Sequence, residues 1–195
     1  MMIVLASASP RRQKLLKEAG IDFVVQPSNI PEVRRESEPP CDFAERMARE
    51  KAQAVWAGLK KDFMGCAAHC VLGADTVVVV DELGLGKPED GKDAARMLHL
   101  LSGRKHEVIT AVCLVGKSFE EVRHESTLVE FSALSDSDVR EYVSSGEPMD
   151  KAGAYAIQGV ASKWISKIEG DYSNVVGLPV ELVLRMLREH AAIRR

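Results

Sequence analysis

Met2-Ile3-Val4-Leu5-Ala6-Ser7-Ala8-Ser9-Pro10-Arg11-Arg12 decides the architecture. The apolar run from Ile3 to Ala6 predicts a buried strand, and Ser7-Ala8-Ser9-Pro10 breaks it. Ser9 is of a type preferred at a helix N-cap. Pro10 suits the first helical position, where a missing N–H costs nothing. Leu15, Leu16 and Ala19 supply the apolar face of that helix, and Gly20 is its expected stop. A strand that turns at once into a helix begins an α/β pattern.

The pattern continues along the chain. Ile21 to Val25 reads as a strand, followed by a polar loop through Pro40. A long helix is expected from about Asp42 to Leu59, with Phe43, Met47, Val55, Trp56 and Leu59 on one face. Val71 to Val80 ends in four valines, as a strand buried on both faces would. Asp81-Glu82-Leu83-Gly84 reads as a turn, and Lys92 to Leu101 as a helix with Ala94, Ala95, Met97, Leu98 and Leu101 inward. Val108 to Val115 and Ser126 to Phe131 predict an antiparallel pair joined by a polar connection. Ser135 with Asp138 resembles a capping box for a short helix ending near Ser144. Ala154 to Ile157 and Trp164 to Ile168 read as short strands, and Leu178-Pro179-Val180 opens a last helix ending near His190. The fold class expected is α/β with a mixed sheet, as a single domain over residues 1–195.

The 195 residues are 46% hydrophobic and 28% charged, the balance of an ordinary globular protein, with aromatics at 5%. The core must therefore rely on Leu, Val, Ile, Met and Ala. A net charge of −3 provides no basic excess, which argues against a nucleic acid polymer as main partner. No apolar run reaches the ~18–20 residues of a membrane span. The N-terminal apolar run has no basic residue before it and does not read as a signal peptide. Cys41, Cys66, Cys70 and Cys113 are irregularly spaced, so reduced thiols in a cytoplasmic protein are expected. Cys66-Ala67-Ala68-His69-Cys70 would need a second ligand cluster to hold a metal, and Cys41 and Cys113 stand alone in sequence.

Four segments could carry chemistry. Ser7-Ala8-Ser9-Pro10-Arg11-Arg12 places hydroxyls and guanidinium groups at a helix N-terminus, where backbone amides and the helix dipole favour anions. A capped helix with solvated arginines is the plainer alternative. Gly73-Ala74-Asp75-Thr76 sets a carboxylate in an apolar strand, where ionisation costs free energy unless a donor or cation compensates it. Small residues there would let a ligand approach the backbone. A strand-end Asp bonded to a neighbouring loop is as good a reading of the segment alone. Gly84-Leu85-Gly86-Lys87-Pro88 is a flexible turn delivering a lysine, and it lacks the spacing of a Walker loop. Glu32, Glu50 and Lys51 would each pass alone as surface charge. Gln158, between an apolar stretch and Gly159, could present its amide to a base edge or to backbone.

Taken together and in order, Ser-x-Ser-Pro-Arg-Arg, Gly-Ala-Asp-Thr-Val-Val, Gly-Lys-Pro, Asp-Lys-Ala-Gly-Ala-Tyr-x-Ile-Gln-Gly and Gly-Asp-Tyr-Ser-Asn-Val-Val-Gly-Leu-Pro resemble the Maf family of nucleotide pyrophosphatases. The resemblance runs from Leu5 to about Leu187. It implies a mixed twisted sheet flanked by helices, in two lobes around a deep cleft, related to the ITP pyrophosphatases. It implies hydrolysis of nucleoside triphosphates to monophosphate and pyrophosphate with a divalent cation, Mg or Mn. By this likeness Asp75, Lys51 and Glu32 are catalytic, with Asp75 and Glu32 as metal ligands. Ser7, Arg12 and Lys87 are phosphate-binding positions. Arg11, Thr76 and Gln158 are specificity positions, and Arg11 with Gln158 looks like the branch acting on dTTP and UTP. Pro31 stands where an acidic residue is common. The implied partner is the triphosphate substrate, with no membrane and with a homodimer left open. The alternative the family suggests is a nucleotide-binding regulator of cell division or septum formation with little turnover.

Overall fold

A computed structural model describes residues 2–59 and 68–192. Seven strands form one mixed sheet: β1 (Met2–Leu5), β2 (Phe23–Val25), β3 (Ala68–Val80), β4 (Leu83–Leu85), β5 (Lys105–Gly116), β6 (Phe119–Phe131) and β7 (Ile165–Glu169). Their order is β2-β1-β3-β5-β6-β7, with β4 on the edge of β3. β2, β1 and β3 run parallel, while β3, β5, β6 and β7 alternate in direction. The helices are α1 (Pro10–Glu18), α2 (Pro40–Gly58), α3 (Gly91–Leu101), α4 (Asp136–Ser144), α5 (Tyr172–Val176) and α6 (Val180–Ala192). The α/β class with a mixed sheet flanked by helices is as expected. No helix among the described residues is long and apolar enough to cross a membrane.

The core falls into three clusters. Ile3, Leu5, Leu72 and Leu114 pack on one face of the sheet with Leu16 of α1 and Leu182, Val183 and Met186 of α6. Val4, Val71, Val77 and Ala111 pack on the other face with Ala44, Ala48, Ala52 and Val55 of α2. The far ends of β3, β5 and β6 supply Val78, Val108 and Phe131 to a third cluster with Leu98 and Leu101 of α3 and Tyr142 of α4. The long strands thus run through two lobes.

Local chemistry sets the element ends. The Ser9 hydroxyl accepts from the Arg12 amide, and Pro10 opens α1. Ser135 and Asp138 form the capping box expected of them at α4. Asp81 and Glu82 both take positive φ, 47° and 64°, as a two-residue hairpin turn requires, so the segment after them returns as β4. The expected flexible turn at Gly84-Leu85 is instead a short strand with Leu85 buried. The expected polar connection after β5 is also strand: β6 begins at Phe119 and pairs with β5 along its whole length. Residues 119–126 leave mostly half-buried side chains on that stretch, which explains its polar composition. Ala154 to Ile157 is no strand. Gly153 and Ala154 are both left-handed, at φ 67° and 59°, which no ladder accommodates.

The buried face of α2 differs from the one expected. Ala44, Met47, Ala48, Lys51, Ala52 and Val55 are buried, while Phe43, Trp56 and Leu59 are only half-buried. The reason is the closeness of α2 to β3. A Cβ at Gly73 would overlap the Ala48 carbonyl oxygen and stand 2.8 Å from the Ala52 amide nitrogen. Gly73 therefore admits a helix, not a ligand, and the facing helix positions are alanines. Gly73→Ala should destabilise the fold by about 3 kcal/mol, because rigid backbone must move to relieve the overlap. Urea unfolding of the variant checks this, and an unchanged midpoint would show that α2 can retreat freely.

Candidate active site

The cleft opens where the edge of β3 is left without a partner strand. β1 pairs with β3 only as far as Leu72, and β4 begins its pairing at Val78. Between them the chain leaves β1 through Ala6-Ser7-Ala8-Ser9 into α1. Asp75, Thr76, Val77 and Val78 of β3 thus line a cleft of about 750 Å³, beyond the C-terminal end of β1. Open α/β sheets offer ligand crevices at such ends. Of the expected residues, Ser7, Arg11, Arg12, Glu32, Lys51, Asp75, Thr76, Lys87 and Gln158 all line it. Segments spread over 150 residues of sequence therefore converge on one space.

Asp75 points toward α2 and is 8% exposed. Lys51 Nζ stands 2.6 Å from Asp75 Oδ1 and 2.6 Å from Glu32 Oε1. Lys87 Nζ reaches the other oxygen of Glu32 at 3.0 Å. Two lysines and two carboxylates thus form one chain across the cleft floor. Burial pushes the Asp75 carboxyl up, and the charge and hydrogen bond of Lys51 oppose it without cancelling it. Burial would raise Glu32 as well, but there the hydrogen bonds and charges of Lys51 and Lys87 prevail and hold it at about 2.

Arg12 takes the opposite side of the strand. Its Nε donates to Gly177 O at 2.8 Å, Nη1 to Ala74 O at 2.9 Å and Ser7 Oγ at 3.3 Å, and Nη2 to Thr76 Oγ1 at 3.1 Å. Burial lowers its pKa, with Asp75 and Glu32 pulling the other way. A guanidinium has five N–H donors, so most of the fork expected to grip phosphate is spent on the protein. Arg12 acts as a fixed positive charge behind the site. Its acceptor Gly177 has φ 122°, open to glycine, and this aims the carbonyl at Nε.

Thr76 belongs to the same scaffold. Its hydroxyl accepts from Arg12 and pairs with Thr110 Oγ1 at 3.0 Å, and Thr110 donates to Asn174 O at 3.0 Å. Asn174, fully buried, donates to Val108 O at 2.9 Å and Thr127 Oγ1 at 3.0 Å. This network fastens the Gly-Asp-Tyr-Ser-Asn segment to the sheet, and so holds Gly177 on Arg12. Thr110 and Asn174 were not singled out in the sequence. An Asn within a Ser-Asn-Val-Val-Gly stretch carries no local sign of spanning two strands.

The rim is softer. Arg11 pairs with Asp150 at 3.2 Å, and Lys151 Nζ donates to Asp150 Oδ1 and to Glu147 O, each at 2.5 Å. Lys151 lines the cleft and was also missed, although it sits in a motif already noted. The bond between Arg11 and Asp150 ties α1 of one lobe to the other lobe across the mouth. Exposed pairs of this kind contribute ~0–1 kcal/mol, so it can open for a ligand. Gln158 is exposed at the same mouth. Of the cysteines, Cys113 is buried with its thiol pushed up to about 12 by burial. The Cys66 and His69 side chains lie outside the described residues.

A family model described as Maf-like protein matches residues 2–190. A protein of Koribacter versatilis named dTTP/UTP pyrophosphatase is 52% identical over 188 residues, covering 96% of this chain and 94% of that one. Proteins of the same name from Symbiobacterium thermophilum and Syntrophomonas wolfei are each 49% identical. They cover 96% and 94% of this chain, and 93% and 94% of their own.

The state of Glu32 gives a pH test. Its folded pKa of about 2 lies below the ordinary 4.5, so its ionised form stabilises the fold above about 4.5, and that contribution is lost as pH falls toward 2. The stability gap between the protein and Glu32→Gln should therefore be largest near neutrality and shrink over that window. Thermal unfolding at several pH values reads it, and a gap independent of pH would remove Glu32 from the ion chain.

Proposed function

The chain belongs to the Maf-like protein family, and on that footing we propose that its cleft hydrolyses dTTP and UTP between the first and second phosphorus atoms, giving the monophosphate and pyrophosphate. The chain is a nucleoside triphosphate pyrophosphatase. The observation that carries the site assignment is the buried Asp75 facing a cleft floor ringed by Lys51, Lys87 and Arg12. A structural carboxylate would have no use for three cations beside an open space.

Asp75 is the general base toward the attacking water. Burial raises its pKa and so makes it the stronger base, and the charge and hydrogen bond of Lys51 favour its ionised form. Lys51 also orients the carboxylate by the 2.6 Å bond to Oδ1, leaving the second oxygen for water. Lys87, whose side chain is 57% exposed, is free to swing from Glu32 to a phosphate oxygen. Ser7 and the start of α1 receive phosphate oxygens through hydroxyl and backbone amides. Arg12, locked by its own hydrogen bonds, contributes positive potential where charge builds on the departing pyrophosphate, with no reorganisation during reaction. Arg11 and Gln158 at the mouth face the nucleoside end. A Gln amide can meet both a carbonyl and the N3–H of uracil or thymine. Thr76 acts through Arg12, whose guanidinium it holds in place on the phosphate side.

Asp75 and Glu32 offer carboxylate oxygens around one ammonium, an oxygen donor set that suits Mg or Mn. When bound there, the cation would neutralise triphosphate charge and polarise its phosphorus–oxygen bonds. Within this proposal the protein acts in the cytoplasm, where nucleoside triphosphates are its partners.

Asp75→Asn should lower kcat about 10²–10⁴-fold while nucleotide binding survives, since the amide keeps the shape and loses the base. Steady-state kinetics with equilibrium binding check this, and near-normal turnover would end the assignment. Lys51→Met should move the acid limb of the pH–rate profile to higher pH, because the first opponent of burial at Asp75 is gone. Chelation should stop pyrophosphate release, and added Mg or Mn should restore it.

A further inference from the structure

A second constellation lies away from the cleft floor, between the start of α2 and the middle of β6. Among the described residues, Cys41, Glu45 and His124 bring a thiol, a carboxylate and an imidazole to within 4.8 Å of one another, atom to atom. Cys41 Sγ is 3.5 Å from His124 Nδ1, and Glu45 Oε1 is 2.8 Å from the same nitrogen. Cys41 and Glu45 are one helical turn apart, so α2 presents both on one face. His124 stands opposite them on β6, where Ala111 of β5 is its ladder partner.

We propose that Cys41, Glu45 and His124 form a second metal site, for a borderline divalent ion of the zinc class, with water completing its shell. Bonds of about 2.3 Å to sulfur and 2.0–2.1 Å to nitrogen and oxygen put tetrahedral donors roughly 3.3–3.7 Å apart. The separation of Sγ and Nδ1 already matches that edge. The bond between Nδ1 and Oε1 is a shared-proton distance that would open by roughly half an ångström when a cation replaces the proton. Softness separates this set from the cleft: thiolate and imidazole select zinc over magnesium, whereas the carboxylates of Asp75 and Glu32 do the reverse. The local field has the right sign. Glu45, Asp42 and Glu107 surround the Cys41 thiol with negative charge, which favours a cation there over a lone thiolate. Binding releases the thiol proton to solvent, and affinity should rise with pH. Cys41 and His124 are partly exposed, and an ion can reach them from outside. Standing alone in sequence, Cys41 gave no such sign, because its partners come from the next helical turn and from 83 residues away.

The test is titration of the metal-stripped full-length protein with cobalt(II) alone. A thiolate-to-cobalt charge-transfer band saturating at one ion per chain, and bleached by zinc, is expected; the oxygen ligands of the cleft cannot produce it. Cys41→Ser should abolish the band, and His124→Gln should weaken binding at least tenfold while magnesium-supported turnover persists. Circular dichroism checks that both variants fold, and the second stands if the first does not. Absence of the band, or a band that survives Cys41→Ser on the other thiols, would overturn the proposal.

Discussion

The ammonium of Lys51 between Asp75 and Glu32 requires α2 to lie almost backbone to backbone against β3. A buried carboxylate without a partner would protonate, and a buried ammonium without one would lose its proton. Each therefore depends on a spacing that only Gly73 on the strand and small residues on the helix allow. The alanines at 44, 48 and 52 contribute little apolar area individually, yet they set the distance at which Lys51 meets Asp75. Much of the packing on that face serves the ion pair. Breaking one partner of such a pair costs about 3–5 kcal/mol, more than most single contacts in the core.

The other face of β3 answers a different demand. Arg12 is half-buried, and its charge is tolerable because Gly177, Ala74, Ser7 and Thr76 accept its hydrogens. Two of these acceptors are backbone carbonyls. One, Ala74 O, exists as an acceptor because β1 stops at Leu5 and leaves that edge of β3 unpaired. The gap in the sheet thus does two things at once: it opens the cleft and supplies the anchor for its innermost cation. Asn174, Thr110 and Thr127 carry this demand outward to β5 and β6, so Asn174 supports a charge that its own side chain never touches.

Much of this was legible in the sequence, for physical reasons. The strand-turn-helix opening, the valine-rich strand and the capping box are local signals, in which neighbours in sequence are neighbours in space. Resemblance located the cleft residues by name. What was hidden is long-range. The polar half of β6 looked like a connection because a half-exposed strand need not be apolar. Asp81-Glu82 offers no Gly or Asn to announce a hairpin, so nothing local marks β4 as a returning strand. The alanine face of α2 does not stand out against its larger residues, since sequence periodicity weighs bulk and cannot see a glycine on a distant strand. The commitment of Thr76 to Arg12 was equally invisible, because it depends on where residue 12 lies in space.

The cations around the cleft divide into two kinds, and the division bears on turnover. Lys51 is buried and Arg12 half-buried, each bonded to several protein acceptors, whereas Lys87 and Arg11 are more exposed and held by single residues, Glu32 and Asp150. Fixed charge favours the transition state, because it need not rearrange as charge moves toward the leaving group. It would also hold pyrophosphate too tightly if all the cations were fixed, since product carries more local charge than the ester it leaves. Side chains that can return to Glu32 and Asp150 offer the product competitors already in place. On the proposed mechanism Glu32 would act beyond any cation it held: its carboxyl, held at about 2, stays ionised through the neutral range and able to reclaim Lys87. The same acidic side chain that neutralises the empty site would thus help to empty it after each cycle.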